Sequence, residues 1–260
     1  MVGGMNFSLK LFSLVIALCA STSLYAAENT DDGIQVSGNI MVVSSYISRG
    51  LTNAPENDDI SIQPYLSASY KDAYIAYWAS PLNYSFKELQ TGINNSSYRF
   101  EHNFIAGYLF DYAGLNFDLW DAFYYYPGGK NTMSNEIGLR ASKTFDDQSS
   151  LTLGASVFLN DAIYMNEGDL FMTIDYIKPL NDRWSGSLGS GFSSFQDNGK
   201  YEGKGFLDTQ KDFVFRYAYA QLDYTMNDST NVFYKFIIGG DDRSGIHQKN
   251  ATQLGLVYSF

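Results

Sequence analysis

Only two imidazoles stand in the chain, His102 and His247. A histidine base needs a hydroxyl or thiol nucleophile within hydrogen-bond reach. His102 is followed by Asn103 and Phe104, so the local sequence sets no serine beside it. A place in an interfacial girdle of aromatic side chains suits it better than catalysis. Zinc would need further nitrogen or sulfur ligands close in space. Cys19 is the only cysteine and the two histidines are far apart, so no metal is expected, and no other cofactor. The acidic clusters Glu56-Asn57-Asp58-Asp59 and Asp241-Asp242 would attract divalent cations. They lack the twelve-residue calcium-loop spacing, and solvated loop charge accounts for them. Gly128-Gly129-Lys130 has neither the upstream glycine nor the downstream hydroxyl of a phosphate-binding loop.

What remains is a set of polar side chains inside strongly alternating segments. Ile60, Ile62, Leu66, Ala68 and Tyr70 alternate with Ser61, Gln63, Ser67 and Ser69. Phe100, Phe104, Ala106, Tyr108 and Phe110 stand opposite Glu101, Asn103, Gly107 and Asp111. A period of two means strands with one greasy and one polar face. Twelve such segments follow one another: Gln35–Ser48, Ile60–Tyr70, Tyr74–Ser80, Tyr98–Asp111, Leu115–Tyr126, Glu136–Thr144, Leu151–Leu159, Leu170–Ile177, Trp184–Phe195, Phe213–Tyr224, Val232–Gly239 and Leu254–Phe260. The ninth is the weakest, because Gly and Ser dominate it. The last ends on Phe260 with nothing after it to cover its edge, and a strand edge that does not aggregate must be paired.

The connections are sorted by length. Short ones (Lys71-Asp72-Ala73, Ala113-Gly114, Asp146-Asp147-Gln148, Asn181-Asp182-Arg183, Asn227-Asp228-Ser229) alternate with long ones (Gly50–Asp59, Pro81–Ser97, Pro127–Asn135, Asn160–Asp169, Gln196–Asp212, Gly240–Ala251). A β-sandwich has no reason to sort its loops in this way. A transmembrane antiparallel barrel does, with short periplasmic turns and longer extracellular loops. Its even strand number brings both ends of the chain to one side, so Phe260 closes the barrel against the first strand. The expected fold is therefore an all-β transmembrane barrel of about twelve strands.

The N-terminus agrees. Lys10, the apolar run Leu11–Ala20 and the small residues up to Ala26-Ala27 have the three parts of a secretory signal peptide. The run is too short for a retained membrane helix, and Leu18 is a poor neighbour for lipid attachment at Cys19. Residues 1–27 are expected to be cleaved, leaving 28–260 as a single barrel domain in the outer membrane of a Gram-negative bacterium. Without Cys19 the exported chain has no disulfide to stabilise it. Its net charge moves from −11 to −12 with the loss of Lys10. That balance, with no basic cluster, excludes nucleic acid as a partner.

The polar phase holds Gln63, Glu101, Asn103, Asp118, Arg140, Asp175, Arg216 and Lys235, with Arg49 at the mouth of the first strand. These are the candidate pore-lining residues, together with Trp120. Both signs of charge are present, and opposed charges across a pore create a transverse field suited to dipolar or zwitterionic solutes. Inward Trp120, Tyr124 and Tyr126 would receive an organic cation by cation–π attraction. Twelve strands allow either a narrow channel or an interior filled by ion-paired side chains.

Ser44-Ser45-Tyr46-Ile47-Ser48-Arg49-Gly50-Leu51-Thr52 resembles the first-strand signature of the Gcw_chp family, proteobacterial proteins of unknown function. That signature reads Tyr-x-x-Arg-Gly-Ile/Leu-Ser/Thr. Tyr46, Arg49, Gly50, Leu51 and Thr52 match it; Ser45, where Asp is usual, and Asn53, where Gln is common, depart from it. Trp78-Ala79-Ser80, then Tyr125-Tyr126-Pro127-Gly128 followed by Glu136, extend the match. The resemblance implies an outer-membrane location and a porin-like role, and supplies no catalytic residue. As a class property, a terminal aromatic such as Phe260 is the signal read by the barrel-assembly machinery. The expected partners are that machinery, outer-membrane lipid and lipopolysaccharide, and a small solute. The expected function is a passive channel, not an enzyme. Its rivals are a closed structural or partner-binding barrel and an enzyme acting on lipid or lipopolysaccharide.

Overall fold

The computed structural model describes residues 33–52, 57–204 and 208–260. The expected signal peptide and Glu56 lie outside these residues. Twelve antiparallel strands close into one barrel. They are β1 (Gln35–Val43), β2 (Ser61–Tyr70), β3 (Ala73–Pro81), β4 (Phe100–Tyr112), β5 (Leu115–Tyr125), β6 (Ser134–Thr144), β7 (Ser150–Phe158), β8 (Leu170–Pro179), β9 (Trp184–Ser194), β10 (Phe213–Asn227), β11 (Thr230–Gly239) and β12 (Ala251–Ser259). Each strand pairs with its neighbours in sequence, and β1 pairs with β12. The loop between β3 and β4 carries a short α-helix, α1 (Phe86–Thr91), and a 3-10 helix (Ser96–Tyr98); Ser85 caps α1 by accepting from the Glu88 amide at 3.1 Å.

The alternation decides which face of each strand looks outward. Ile62, Leu66, Ile75, Phe104, Leu153, Leu188 and Leu254 are each about half exposed or more, and all belong to the apolar phase. So continuous an apolar belt is unstable in water and stable in lipid, which makes this the wall of a membrane-spanning barrel. Ring closure satisfies every strand edge, the condition for a sheet in hydrocarbon. The segment dominated by Gly and Ser is a regular strand, β9, paired on both sides. Short turns and long loops alternate as the spacing predicts. In the Ala113-Gly114 turn both residues sit at positive φ, 54° and 75°, as two-residue hairpins of matching twist require.

The glycines of the polar phase have a common use. Tyr74, Trp120, Tyr217, Tyr219 and Phe233 each lie across the glycine directly opposite on the neighbouring strand: Gly107, Gly138, Gly191, Gly189 and Gly255. A Cβ on Gly138 would stand 2.3 Å from the Trp120 ring. Large rings thus lie flat along the wall, a packing that supports edge glycines. Gly138→Ala is expected to destabilise the refolded barrel by about 1–3 kcal/mol, the usual cost of overpacking. The urea midpoint would report it; an unchanged midpoint would mean that the ring slides away freely.

One boundary differs in a way that matters. The expected first strand ran to Ser48, but β1 ends at Val43. Beyond it the chain leaves the wall and enters the lumen.

Candidate functional site

The short-turn half of the lumen is a polar cup. Asp118 and Arg140 face each other directly across β5 and β6, with Nη1 to Oδ2 at 2.7 Å. Tyr74 donates to Asp118 at 2.9 Å, and Tyr219 donates to Asp175 at 2.8 Å. Gln221 donates to Asp223 at 2.7 Å, and the Lys235 ammonium lies 4.7 Å from the centre of the Tyr219 ring. Arg140 and Asp118 keep part of their surface in solvent.

The long-loop half is filled. From Ser44 the chain turns inward and carries Tyr46 to Leu51 across the lumen. Ser48-Arg49-Gly50-Leu51 makes a tight reversal: the Leu51 amide donates to the Ser48 carbonyl at 2.8 Å, with Arg49 at φ 44° and Gly50 at φ 78°. Two consecutive positive φ values demand a glycine at one of them. Gly50 is also needed for space, since a Cβ there would approach the Tyr217 Cβ to 2.7 Å. The turn delivers Arg49 to the far wall, where β7 and β8 stand opposite β1 and β2. Arg49 Nη2 lies 2.7 Å from both oxygens of Glu136, and its guanidinium centre is 4.2 Å from the Phe171 ring centre. Ser156 donates to Glu136 at 2.5 Å and the Tyr124 hydroxyl donates to it as well. On another wall, Tyr46 donates to Glu101 at 3.2 Å, and Asn103 donates to the other Glu101 oxygen at 3.0 Å.

Above this plug sit rings from several loops. Phe86, Tyr126 and Tyr164 lie within 5.4 Å of one another by ring centre and join Tyr84 and Leu82 in one buried cluster. A second buried ion pair, Arg243 to Asp169 at 3.0 Å, ties the β11–β12 loop to the β7–β8 loop. Burial pushes the Asp169 carboxyl up, and Arg243 opposes that shift. Beside Arg49 and Gln63 the lumen retains a cavity of about 40 Å³. That is room for very few waters and for no solute. A larger hollow of about 540 Å³ lies along Val42, Leu222, Tyr234, Leu254 and Leu256 and opens on the lipid-facing wall, away from this chemistry.

All the polar-phase candidates point inward: Gln63, Glu101, Asn103, Asp118, Trp120, Arg140, Asp175, Arg216 and Lys235. Arg49 is not at a strand mouth; it is 3% exposed and inside the barrel. Trp120, Tyr124 and Tyr126 are not free to receive a cation. Arg140 already stands 5.1 Å from the Trp120 ring centre, and Tyr124 and Tyr126 are buried under the loops. Asp242, read as solvated, is 1% exposed and accepts from the Ser244 and Ile246 amides at 2.9 Å. Glu136 and Arg243 are absent from the sequence candidates. Glu136 lies four residues before Arg140, so the same period of two would have placed it inside. His102 stands on the outer wall, 2.7 Å from the Tyr77 hydroxyl and stacked on Phe100. His247 pairs with Asp241 at 2.8 Å in an exposed loop. Among the described residues, no three His, Cys, Asp or Glu side chains are grouped to hold a metal ion.

The fold matches known barrels. A KdgM porin aligns with a TM-score of 0.56 at 9% identity, covering 86% of this chain and 99% of that one. The COG4313 outer membrane channel from Pseudomonas putida F1 aligns with a TM-score of 0.51 at 10% identity, covering 89% of this chain and 97% of the channel. At such identities the likeness is one of fold. No curated protein matches the sequence. Residues 27–162, just over half of the chain, match the family described as "Bacterial protein of unknown function (Gcw_chp)". The chain belongs to the Gcw_chp family.

Proposed function

We propose that the protein is a porin-like passive channel of the outer membrane for small polar solutes, zwitterions among them, with its short turns in the periplasm. One observation carries this reading. The strands themselves bring opposed charges, Asp118, Arg140, Asp175, Asp223 and Lys235, onto the inner wall, with Asp118 and Arg140 partly accessible, and the closure above them comes from loops. A purely structural barrel would fill its interior from its own walls. The transverse field extends upward: Glu101 on β4 and Arg216 on β10 stand on strands six apart in a ring of twelve, the widest separation the barrel offers. A dipolar solute aligns in such a field, whereas a neutral one gains nothing. That the similar folds are a porin and an outer-membrane channel supports the same reading.

Lipid and lipopolysaccharide would bathe the apolar belt, and the assembly machinery would engage β12. The loop-filled upper half supports a second reading, a closed barrel without transport. Single-channel recording of the refolded protein in planar bilayers separates the two. The channel reading expects discrete steps, and Arg140→Ala should shift their selectivity towards cations by leaving Asp118 unpaired. A folded protein silent at all voltages, with no variant that conducts, would establish the closed barrel.

A further inference from the structure

Arg216 is 1% exposed, and none of its three guanidinium nitrogens has a hydrogen-bond partner among the described residues. The neighbouring arginines are committed: Arg49 to Glu136 and Arg243 to Asp169. Arg216 shares a ring with Arg243, their guanidinium centres lying 5.6 and 4.8 Å from the centre of Phe195, and Asp242 is the carboxylate near enough to act on its charge without a hydrogen bond. Asp242 is engaged by the Ser244 and Ile246 amides and by Gln248. A buried guanidinium whose donors are unsatisfied is unfavourable, and it offers five donors in a rigid fork shaped for a carboxylate. The backbone is also shaped to hold it there. A β-bulge between Phe215 and Tyr217 sets β10 out of step with β9, so that Arg216 and Tyr217 both face inward. Across the ring Glu101 has hydrogen-bond donors, but among the described residues no cation within ion-pair distance.

We infer that Arg216 is a carboxylate-binding residue of the pore, taking the carboxylate of a permeant solute in its guanidinium fork. The Arg49-Gly50 turn lies over this stretch of β10, since a Cβ on Gly50 would come within 2.8 Å of the Arg216 carbonyl. The solute therefore reaches Arg216 as that turn lifts. A zwitterion so bound directs its cationic end towards the wall of Glu101; a simple organic anion uses Arg216 alone. The inference deepens the channel reading and rests on it.

The test compares lactate, glycine betaine and glycerol uptake into proteoliposomes holding wild-type protein or Arg216→Met. Wild type should favour the two carboxylates over glycerol. Arg216→Met should cut that preference about tenfold, the loss expected for a charge-assisted hydrogen-bonded pair, while glycerol uptake stays. Loss for betaine alone would identify a zwitterion; loss for both, any carboxylate. Arg216→Met should also unfold at a urea concentration at least as high as wild type, because unsatisfied buried donors are removed; an earlier transition would mean that Arg216 serves Asp242 structurally. A preference that survives the substitution, or a variant that unfolds earlier, would overturn the inference. If nothing enters either vesicle, the channel reading falls by itself. Titration calorimetry with lactate and the refolded protein then decides the site: binding that Arg216→Met abolishes upholds it, and no binding rejects it.

Discussion

Replacing Arg49 with alanine is expected to raise single-channel conductance several-fold. The inward segment crosses the lumen, and Arg49 holds its turn to the far wall through both Glu136 oxygens and the Phe171 face, while Tyr46 to Glu101 and Thr52 to Gln248 tie the flanking residues. Removing one partner of a buried pair costs about 3–5 kcal/mol, because the other charge is left unpaired. Glu136 keeps Ser156 and Tyr124 as donors, so the wall should survive and the loop should bear most of the loss. Arg49 also holds a positive φ that a non-glycine residue adopts at some cost, which favours release once the anchor is gone. Glu136→Gln should act in the same direction more weakly, since an amide oxygen still accepts from Arg49. Recording the three proteins side by side checks this. Wild-type conductance in a folded Arg49→Ala barrel would show that the segment is not the constriction.

Deleting Phe260 is the second large effect, on assembly. The β1–β12 seam has only five residue pairs, from Asn39 with Ser259 to Val43 with Gly255. Phe260 extends it: its amide donates to the Gly38 carbonyl and the Gly38 amide donates back, both at 3.0 Å. Its ring lies over Gly38, where a Cβ would come within 2.8 Å. Removing the residue breaks two of the hydrogen bonds that close the ring and exposes the edge of β1. The expected result is a sharp fall in folded barrel, read as the heat-resistant fraction on a gel. Gly38→Val should weaken the same seam while leaving the terminal aromatic in place. Refolding in detergent and assembly in cells then separate two roles. A deletion harmless in detergent but lethal to assembly in cells points to recognition of the C-terminus. Harm in both points to the seam. No effect in either would remove Phe260 from the account.

Most of the wall was legible in the sequence because a strand's side chains alternate strictly. Ile62 and Gln63 differ by one position and therefore by a whole environment, lipid against lumen. The same rule put Glu101, Asp118, Arg140 and Lys235 inside, and it located β9 despite its small residues. It stopped working at Val43. Tyr46 keeps the phase of Val36, Ile40 and Val42, so local pattern alone extends the strand, yet the reversal at Arg49-Gly50 turns the chain inward. Nothing within nine residues of Arg49 says that its partner is Glu136, separated by 87 positions along the chain. Nor does periodicity announce that Arg216 sits at a bulge with no hydrogen-bond partner for its guanidinium among the described residues. The sequence by itself determined the barrel, its strand number and which residues face lipid, since these follow from a period of two and from loop length. Only the tertiary structure decided that the lumen is half closed and by which contacts, because ion pairing and burial depend on residues brought together across the ring.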